Sequence, residues 1–146
     1  MALRAAIEAV ESILAGKGYA RAADNFTLER VPASVAHRSY TLGRLELRPR
    51  YTGGNVADYL GARLPLLLAW RVHGAHNPGG SFAEAYLQAA DAFEELEDAL
   101  VAGQAGAAGE NNSIESAVLQ PLLGAGAQEY LLLSLVLAVD VLRKMA

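Results

Sequence analysis

The first residues of the chain carry the hydrophobic pattern of an amphipathic helix, which we predict over residues 2–16. Gly16 and Gly18 favour an end to this helix, because glycine tolerates the left-handed backbone found at helix C-termini. The apolar positions recur at helical spacing on one stripe, with charged residues off it. They are Leu3, Ile7, Val10 and Leu14.

The middle of the chain predicts a long antiparallel hairpin. Residues 19–42 look like an extended or irregular link, whereas residues 44–50 alternate between apolar and charged positions as a strand does. A turn signal at 52–55 separates them from a second extended stretch over 56–73. Pro65 within that stretch predicts a bulge or an edge position, since proline has no backbone N–H to donate to a neighbouring strand.

A second helix is predicted over about 81–101. Ser81 and Glu84 have the spacing of a capping box, in which the hydroxyl accepts a bond from a free amide at the helix start. The apolar stripe consists of Phe82, Tyr86, Ala89, Phe93, Leu96 and Leu100. We expect four of them to pack on a sheet, namely Phe82, Phe93, Leu96 and Leu100.

The last part of the chain predicts a second hairpin. A glycine-rich loop over 103–113 is followed by a short strand over 114–119 and a turn at 124–126. Residues 129–143 fit a strand with alternating faces, and they also fit a buried helix. The preceding strand and turn favour the strand, which would extend about 50 Å. That exceeds the diameter of about 40 Å expected for such a domain, so we expect a partner surface.

These elements predict one α+β domain over residues 1–146. Its antiparallel-rich sheet of about four strands is expected to be packed by the N-terminal helix and the long central helix.

Composition excludes several classes of protein. The chain has no cysteine, which rules out disulfides and thiol chemistry. Its formal net charge of −4, without a run of basic residues, argues against a nucleic-acid reader. The most apolar run, 130–139, is far shorter than the roughly 20 residues that span a bilayer. We therefore expect a soluble, intracellular protein.

No group of residues predicts a catalytic or metal site. His37, His73 and His76 lack the three or four ligands of defined type that a metal requires, so we interpret them as exposed loop residues. The acidic run 94–98 fits the solvated side of a helix, although in a ring it could line the channel or meet a neighbour. No nucleophile elbow or phosphate loop is present. We expect no enzymatic activity and no cofactor.

The sequence allows more than one role for three further residues, Asp140, Trp70 and Tyr130. Asp140 interrupts an apolar run, either as a residue at a strand end facing solvent or an arginine, or in an ion pair between subunits with Arg63 or Arg71. Trp70 and Tyr130 fit a core better than a stacking platform.

The order of elements resembles that of the phage tail-terminator family, proteins of the neck that complete the tail. An N-terminal helix precedes Phe26–Pro32 and the segment His37–Leu42, which is similar to a His/Asp-Arg-Ser-Tyr segment of such proteins. A hairpin ending in Leu67–Val72 follows, then an acidic, alanine-rich helix and a long last strand that begins with Glu129–Tyr130. The similarity covers nearly the whole chain, except that the loop 103–109 has no counterpart.

The resemblance implies a structural virion protein, made in the host cytoplasm, that forms a hexameric ring. The ring would cap the tail tube, end its polymerisation and join the tail to the connector or stopper protein on the head side. DNA would pass through the ring without sequence-specific binding. Six copies, each with a net charge of −4, would carry −24 together, which suits a conduit that repels DNA.

We further predict which residues make the contacts between subunits. The hairpin has more charge around its turn than a tight hairpin needs, and the last strand is too long for its own core. The candidate interface residues are Arg48, Arg50, Asp58, Arg63 and Asp140.

Two other functions remain open at this point. One is a different structural protein from the same particle, either a head-completion or stopper protein or a subunit of the tail tube. The other is a small bacterial α+β domain that binds a ligand, against which the absence of a convergent polar cluster counts.

Overall fold

The computed structural model describes residues 2–32, 34–50, 59–102, 112–123 and 129–142. These residues include two α-helices, α1 (Ala2–Gly16) and α2 (Phe82–Glu97), and α2 runs into a π-helical turn at Asp98–Ala102. The strands are β1 (Ala20–Arg21), β2 (Ser39–Leu42), β3 (Glu46–Arg50), β4 (Tyr59–Arg71), β5 (Ser113–Leu123) and β6 (Glu129–Leu142).

The strands form one mixed sheet of six strands in the order β1-β2-β4-β6-β5, with β3 paired to β4 beyond the end of β2. The prediction of an antiparallel-rich sheet of about four strands is therefore wrong. The two additional strands come from residues 19–42, for which the sequence pattern predicts an extended or irregular link. β1 has two residues and pairs parallel with β2, and so short a strand carries no periodicity in the sequence. The broader expectation of an α+β domain agrees with the structure.

β4 and β6 form the centre of the sheet and pair along their whole length, from Tyr59 opposite Leu142 to Arg71 opposite Tyr130. The even-numbered residues of β4 and the odd-numbered residues of β6 face the helices and form the main core. The strand prediction for 129–143 is thus confirmed over 129–142, and the alternative of a buried helix is wrong.

A second, smaller core covers one end of the opposite face of the sheet. Phe26, Val31 and Val35 pack there against Tyr130 and Leu132. The Tyr130 hydroxyl donates to the carbonyl oxygen of Val35 at 3.0 Å. Trp70 is also buried, as expected, but it lies in the main core, where its indole N–H donates to the Tyr19 hydroxyl at 3.2 Å.

Pro65 does not produce the predicted bulge, because β4 continues through it and pairs Pro65 with Val136. The carbonyl of Pro65 accepts a bond from the amide of Gly43 at 2.8 Å, so its nitrogen also points towards the side of β2 and β3. Pro65 lies there between the part of β4 that pairs with β2 and the part that pairs with β3. The missing donor therefore interrupts no strand pairing.

The helix α2 turns a face of small residues towards the sheet. Its buried residues are Ala85, Ala89, Ala92 and Leu96, and Leu100 is buried in the following turn. Phe93 is half-buried against the core, whereas Phe82 is 42% exposed. The packing prediction is right for Leu96 and Leu100 and wrong for Phe82, because alanines let the helix backbone lie closer to the sheet than a phenylalanine allows. The cap is confirmed, since the Ser81 hydroxyl accepts from the amide of Glu84 at 3.3 Å.

β5 is longer than predicted and lies at one edge of the sheet. A bulge between Ile114 and Ser116 shifts its register against β6. The turns predicted at 52–55 and 124–126 lie outside the described residues, as does most of the loop 103–113.

Candidate assembly interface

Two of the three histidines support the backbone and are not exposed loop residues. The rings of His37 and His76 stack with their centroids 3.5 Å apart. The Nδ1 atom of His37 accepts from the amide of Arg71 at 3.0 Å, and Nε2 of His76 donates to the carbonyl of Arg71 at 2.5 Å. Burial, and secondarily the neighbouring His76, lowers the pKa of His37 to about 4. Both rings therefore bond to the backbone of Arg71 at the end of β4, and the low pKa of His37 favours its neutral form.

His73 is the exposed histidine of the three, and its Nε2 lies 3.3 Å from the carboxylate of Glu129. Among the described residues, no three His, Cys, Asp or Glu side chains approach one another closely enough to hold a metal ion. The helices of the described segments include none that is long and apolar enough to cross a membrane.

The segment His37–Leu42, which carries part of the family resemblance, connects three parts of the fold. Arg38 has a positive φ of 61°, which is uncommon for a residue with a side chain. Its guanidinium donates to the carbonyl of Lys17 at 2.9 Å and lies over the ring of Tyr19. Arg38 thereby closes the end of α1 against the start of the sheet, which is a structural role.

The next residues of this segment also bond within the chain. Tyr40 donates to a carboxylate oxygen of Glu11 in α1 at 3.1 Å, and burial, reinforced by Glu11, raises the pKa of Tyr40 to about 12. Thr41 donates to the side-chain oxygen of Asn25 at 2.9 Å. These contacts attach β2 to α1 and to the loop over the second core. The sequence pattern does not indicate these hydrogen bonds, because the partners are far apart along the chain.

Four of the candidate interface residues belong to described strands and lie near one corner of the sheet, namely Arg48, Arg50, Arg63 and Asp140. Arg63 makes an ion pair across β6 with Glu115 of β5, and its Nε lies 2.9 Å and 2.8 Å from the two carboxylate oxygens. Ala138 of β6 pairs with Arg63 on one side and with Ser113 on the other, whereas Glu115 lies at the bulge between Ile114 and Ser116. The hydrogen bond from Arg63 lowers the pKa of Glu115. Arg63 is therefore neutralised within its own chain, and Asp140 is not its ion-pair partner in this contact.

Arg48 and Asp140 flank Gly61 in one row across β3, β4 and β6. Arg48 is exposed and lies 3.8 Å from the carboxylate of Glu46. Arg71, the other proposed partner of Asp140, donates to the carbonyl of Val35 at 3.0 Å. Arg50 belongs to β3, but its side chain is not described, and Asp58 lies outside the described residues.

β3 is exposed on both of its faces, as all of residues 46–49 are exposed to solvent. Leu47 pairs with Ala62, a core residue, and therefore lies on the same face of the sheet. Its side chain is nevertheless 46% exposed. Within the described residues this strand pairs with β4 alone. A strand at the edge of a sheet presents backbone groups that can pair with another chain, so β3 can serve as a contact surface.

A groove between α2 and β5 lies at the opposite edge of the sheet. Its apolar floor includes Phe93, Ala117 and Leu119, and Glu94 and Glu97 stand at its rim. Further apolar side chains are exposed elsewhere on α2 and β5, namely Phe82, Tyr86, Leu87 and Val118. The sequence pattern predicts a solvated face for the acidic run and gives no sign of this groove. The reason is that Phe93, which the periodicity of α2 places in the core, is only half-buried and lines the groove.

No protein-family model matches the chain, and no curated protein matches it significantly. The proposal for its function therefore depends on the resemblance described above and on the surfaces of the fold.

Proposed function

We propose that the protein is a non-enzymatic structural component of a phage tail, forming a ring, hexameric by the family resemblance, that caps the tail tube. In this role the ring ends the polymerisation of the tube and presents a surface to the connector on the head side. DNA passes through its hole.

The observation that carries this proposal is β3, a strand that pairs with its own sheet while both of its faces are exposed. Its side chains bury little in their own chain, so the strand contributes little to the stability of the monomer. A second surface that covers Leu47 would bury apolar area now in contact with water. A ring supplies such a surface to every copy at once.

The chemistry of the described residues gives additional support to a structural role. His37, His76, Arg38 and Tyr40 make hydrogen bonds that hold the fold together. These are the polar residues that a catalytic hypothesis would use first, and each has a structural partner.

The five candidate interface residues remain part of the proposal, but Arg48 replaces Arg63 as the position to test first. Reversing the charge of Arg63 would place two carboxylates together inside the chain, since Arg63 already pairs with Glu115. Arg48 is exposed and is the better position at which to test a subunit contact. Arg50, Asp58 and Asp140 complete the proposed contact region near the hairpin turn.

Electron microscopy of the purified protein, alone and with tail tubes, tests the proposal. We expect closed rings in isolation or single rings at the ends of tubes, and tubes that grow no further once they are capped. Long tubes formed by this protein alone would identify it as a tube subunit. Binding to the head connector without binding to tubes would favour a stopper protein. A protein that stays monomeric with tubes and with connector would contradict a role in the neck.

A further inference from the structure

The groove between α2 and β5 combines an apolar floor with an acidic rim. Phe93 and Leu119 line the floor, and the exposed carboxylates of Glu94 and Glu97 stand along one side. The helix α2 contains five carboxylates and no basic residue, so the potential around the groove is negative. A ligand for this groove needs an apolar group flanked by positive charge.

β3 has these complementary properties. Leu47 projects an exposed apolar side chain, and residues 44–50 contain three arginines and one glutamate. Arg44 and Arg48 are both exposed on either side of Leu47 in the sequence. The chain thus carries an apolar groove with an acidic rim at one place and an exposed leucine flanked by arginines at another.

These two surfaces lie at opposite edges of the sheet. β3 lies on one side of β4, and β6 and then β5 follow on its other side, about 14 Å away at normal strand spacing. Leu47 and the floor of the groove also share the helix-covered face of the sheet. A neighbour related by rotation about a ring axis can therefore present its β3 edge to the groove. This is the geometry of a head-to-tail contact that repeats around a ring.

We propose that the groove between α2 and β5 of one copy binds β3 of the next copy. Leu47 occupies the apolar floor beside Phe93 and Leu119, and Arg44 and Arg48 face Glu94 and Glu97. The proposal rests on the ring put forward above and names the contact that closes it. A second copy is the occupant because the complementary surface belongs to this same chain.

Charge reversal on each side tests the contact. One variant carries Glu94→Arg and Glu97→Arg, and the other carries Arg44→Glu and Arg48→Glu. Each places like charges together at every contact, so we expect the concentration for half-assembly to rise on the order of tenfold or more. Light scattering measures the mass, and circular dichroism verifies that each variant is folded. The matched control is Asp91→Arg with Glu95→Arg, the same charge change on exposed positions of α2 that do not line the groove.

Recombining the two changes gives the decisive measurement. A single chain with all four reversals has an acidic β3 and a basic groove, so we expect it to form rings again. A mixture of the two variants should also assemble, because each contact then joins opposite charges. Recovery in both cases requires that β3 and the groove meet directly. Variants that assemble like the wild type, or a four-fold variant that stays dissociated, overturn the proposed contact.

A disulfide supplies an independent measurement that does not depend on charge. The chain has no cysteine, so Leu47→Cys and Ala90→Cys introduce the only thiols, one on β3 and one beside the groove. We expect oxidation to produce covalent ladders up to the size of the ring. Leu47→Cys alone should give no ladder beyond a dimer. The absence of ladders from assembled double-cysteine rings would overturn the contact.

The two proposals fail in different ways. Rings that persist through every charge reversal leave the ring proposal intact and overturn only the contact. A wild-type protein that stays monomeric with tubes overturns the ring and the contact together. If the reversals release tail tubes while the mass of the ring is unchanged, the groove binds the tube protein, and the proposed occupant is wrong.

Discussion

His37 shows how a polar residue that suggests chemistry can serve the backbone. Its neutral ring accepts a hydrogen bond from the amide of Arg71 and stacks on His76. Protonation of Nδ1 would remove this acceptor and place a positive charge beside a second imidazole. The fold therefore favours the neutral form of His37, and its stability depends on pH.

We predict that the protein loses stability between pH 6.5 and pH 4 through His37. The pKa of His37 falls from 6.5 to about 4 on folding, so in this range only the unfolded chain takes up the proton. The contribution is complete above pH 6.5 and is lost as the pH falls towards 4. We expect the free energy of unfolding to fall by about 1–2 kcal/mol, since the ring is only half buried and is partly screened by solvent.

Urea unfolding at several pH values measures this effect, with His37→Asn as the control. The amide oxygen of asparagine can accept the bond from Arg71 and does not titrate. As the pH falls over this range, we expect the wild type to lose stability relative to the His37→Asn variant. Parallel pH profiles would show that another group is responsible.

At the scale of elements, α2 illustrates why helical periodicity does not decide which face is buried. Its aromatic residues Phe82 and Tyr86 fall on the apolar stripe, yet both are exposed, and three alanines face the sheet. Small side chains bring the helix closer to the strands, and close approach excludes a large aromatic ring. Phe93, which also falls on the stripe and is only half-buried, lines the groove beside β5.

We predict that Leu96→Ala and Phe82→Ala differ strongly in their effect on stability. Leu96 is 0% exposed, so its truncation should cost about 2–5 kcal/mol of unfolding free energy. Phe82→Ala should cost less than about 1 kcal/mol, since much of that ring is already in water. Phe93→Ala should fall between them, because Phe93 is half-buried. Chemical denaturation measures all three, and a large loss for Phe82→Ala would show that α2 is rotated from its position here.

At the scale of the molecule, the important feature is that the two edges of the sheet both expose apolar residues but carry charges of opposite sign. One edge presents arginines around Leu47, and the other presents the carboxylates of α2 around an apolar groove. The proposed contact joins these two edges of neighbouring copies, and a head-to-tail contact of this kind can repeat until a ring closes.

We predict that assembly weakens with salt. Raising NaCl from about 0.05 M to about 0.5 M shortens the screening length severalfold and reduces the attraction between the arginines and the carboxylates. The ring fraction measured by light scattering should fall, while the circular dichroism spectrum stays unchanged. A ring that is equally stable at both salt concentrations would indicate an interface held by apolar contacts alone.

Features that depend on local pattern could be predicted from the amino-acid sequence. The α1 stripe, the Ser81 cap, the hairpin of β3 and β4 and the alternating strand β6 follow from spacing and from side chains near one another in the chain. The tertiary structure alone decided the six-stranded mixed sheet, the buried face of α2 and the structural use of His37 and Arg38. Their partners are distant in sequence, as with Tyr40 and Glu11, or depend on how closely two elements pack. The positions of β3 and the groove at opposite edges likewise follow from strand order, which no local pattern encodes.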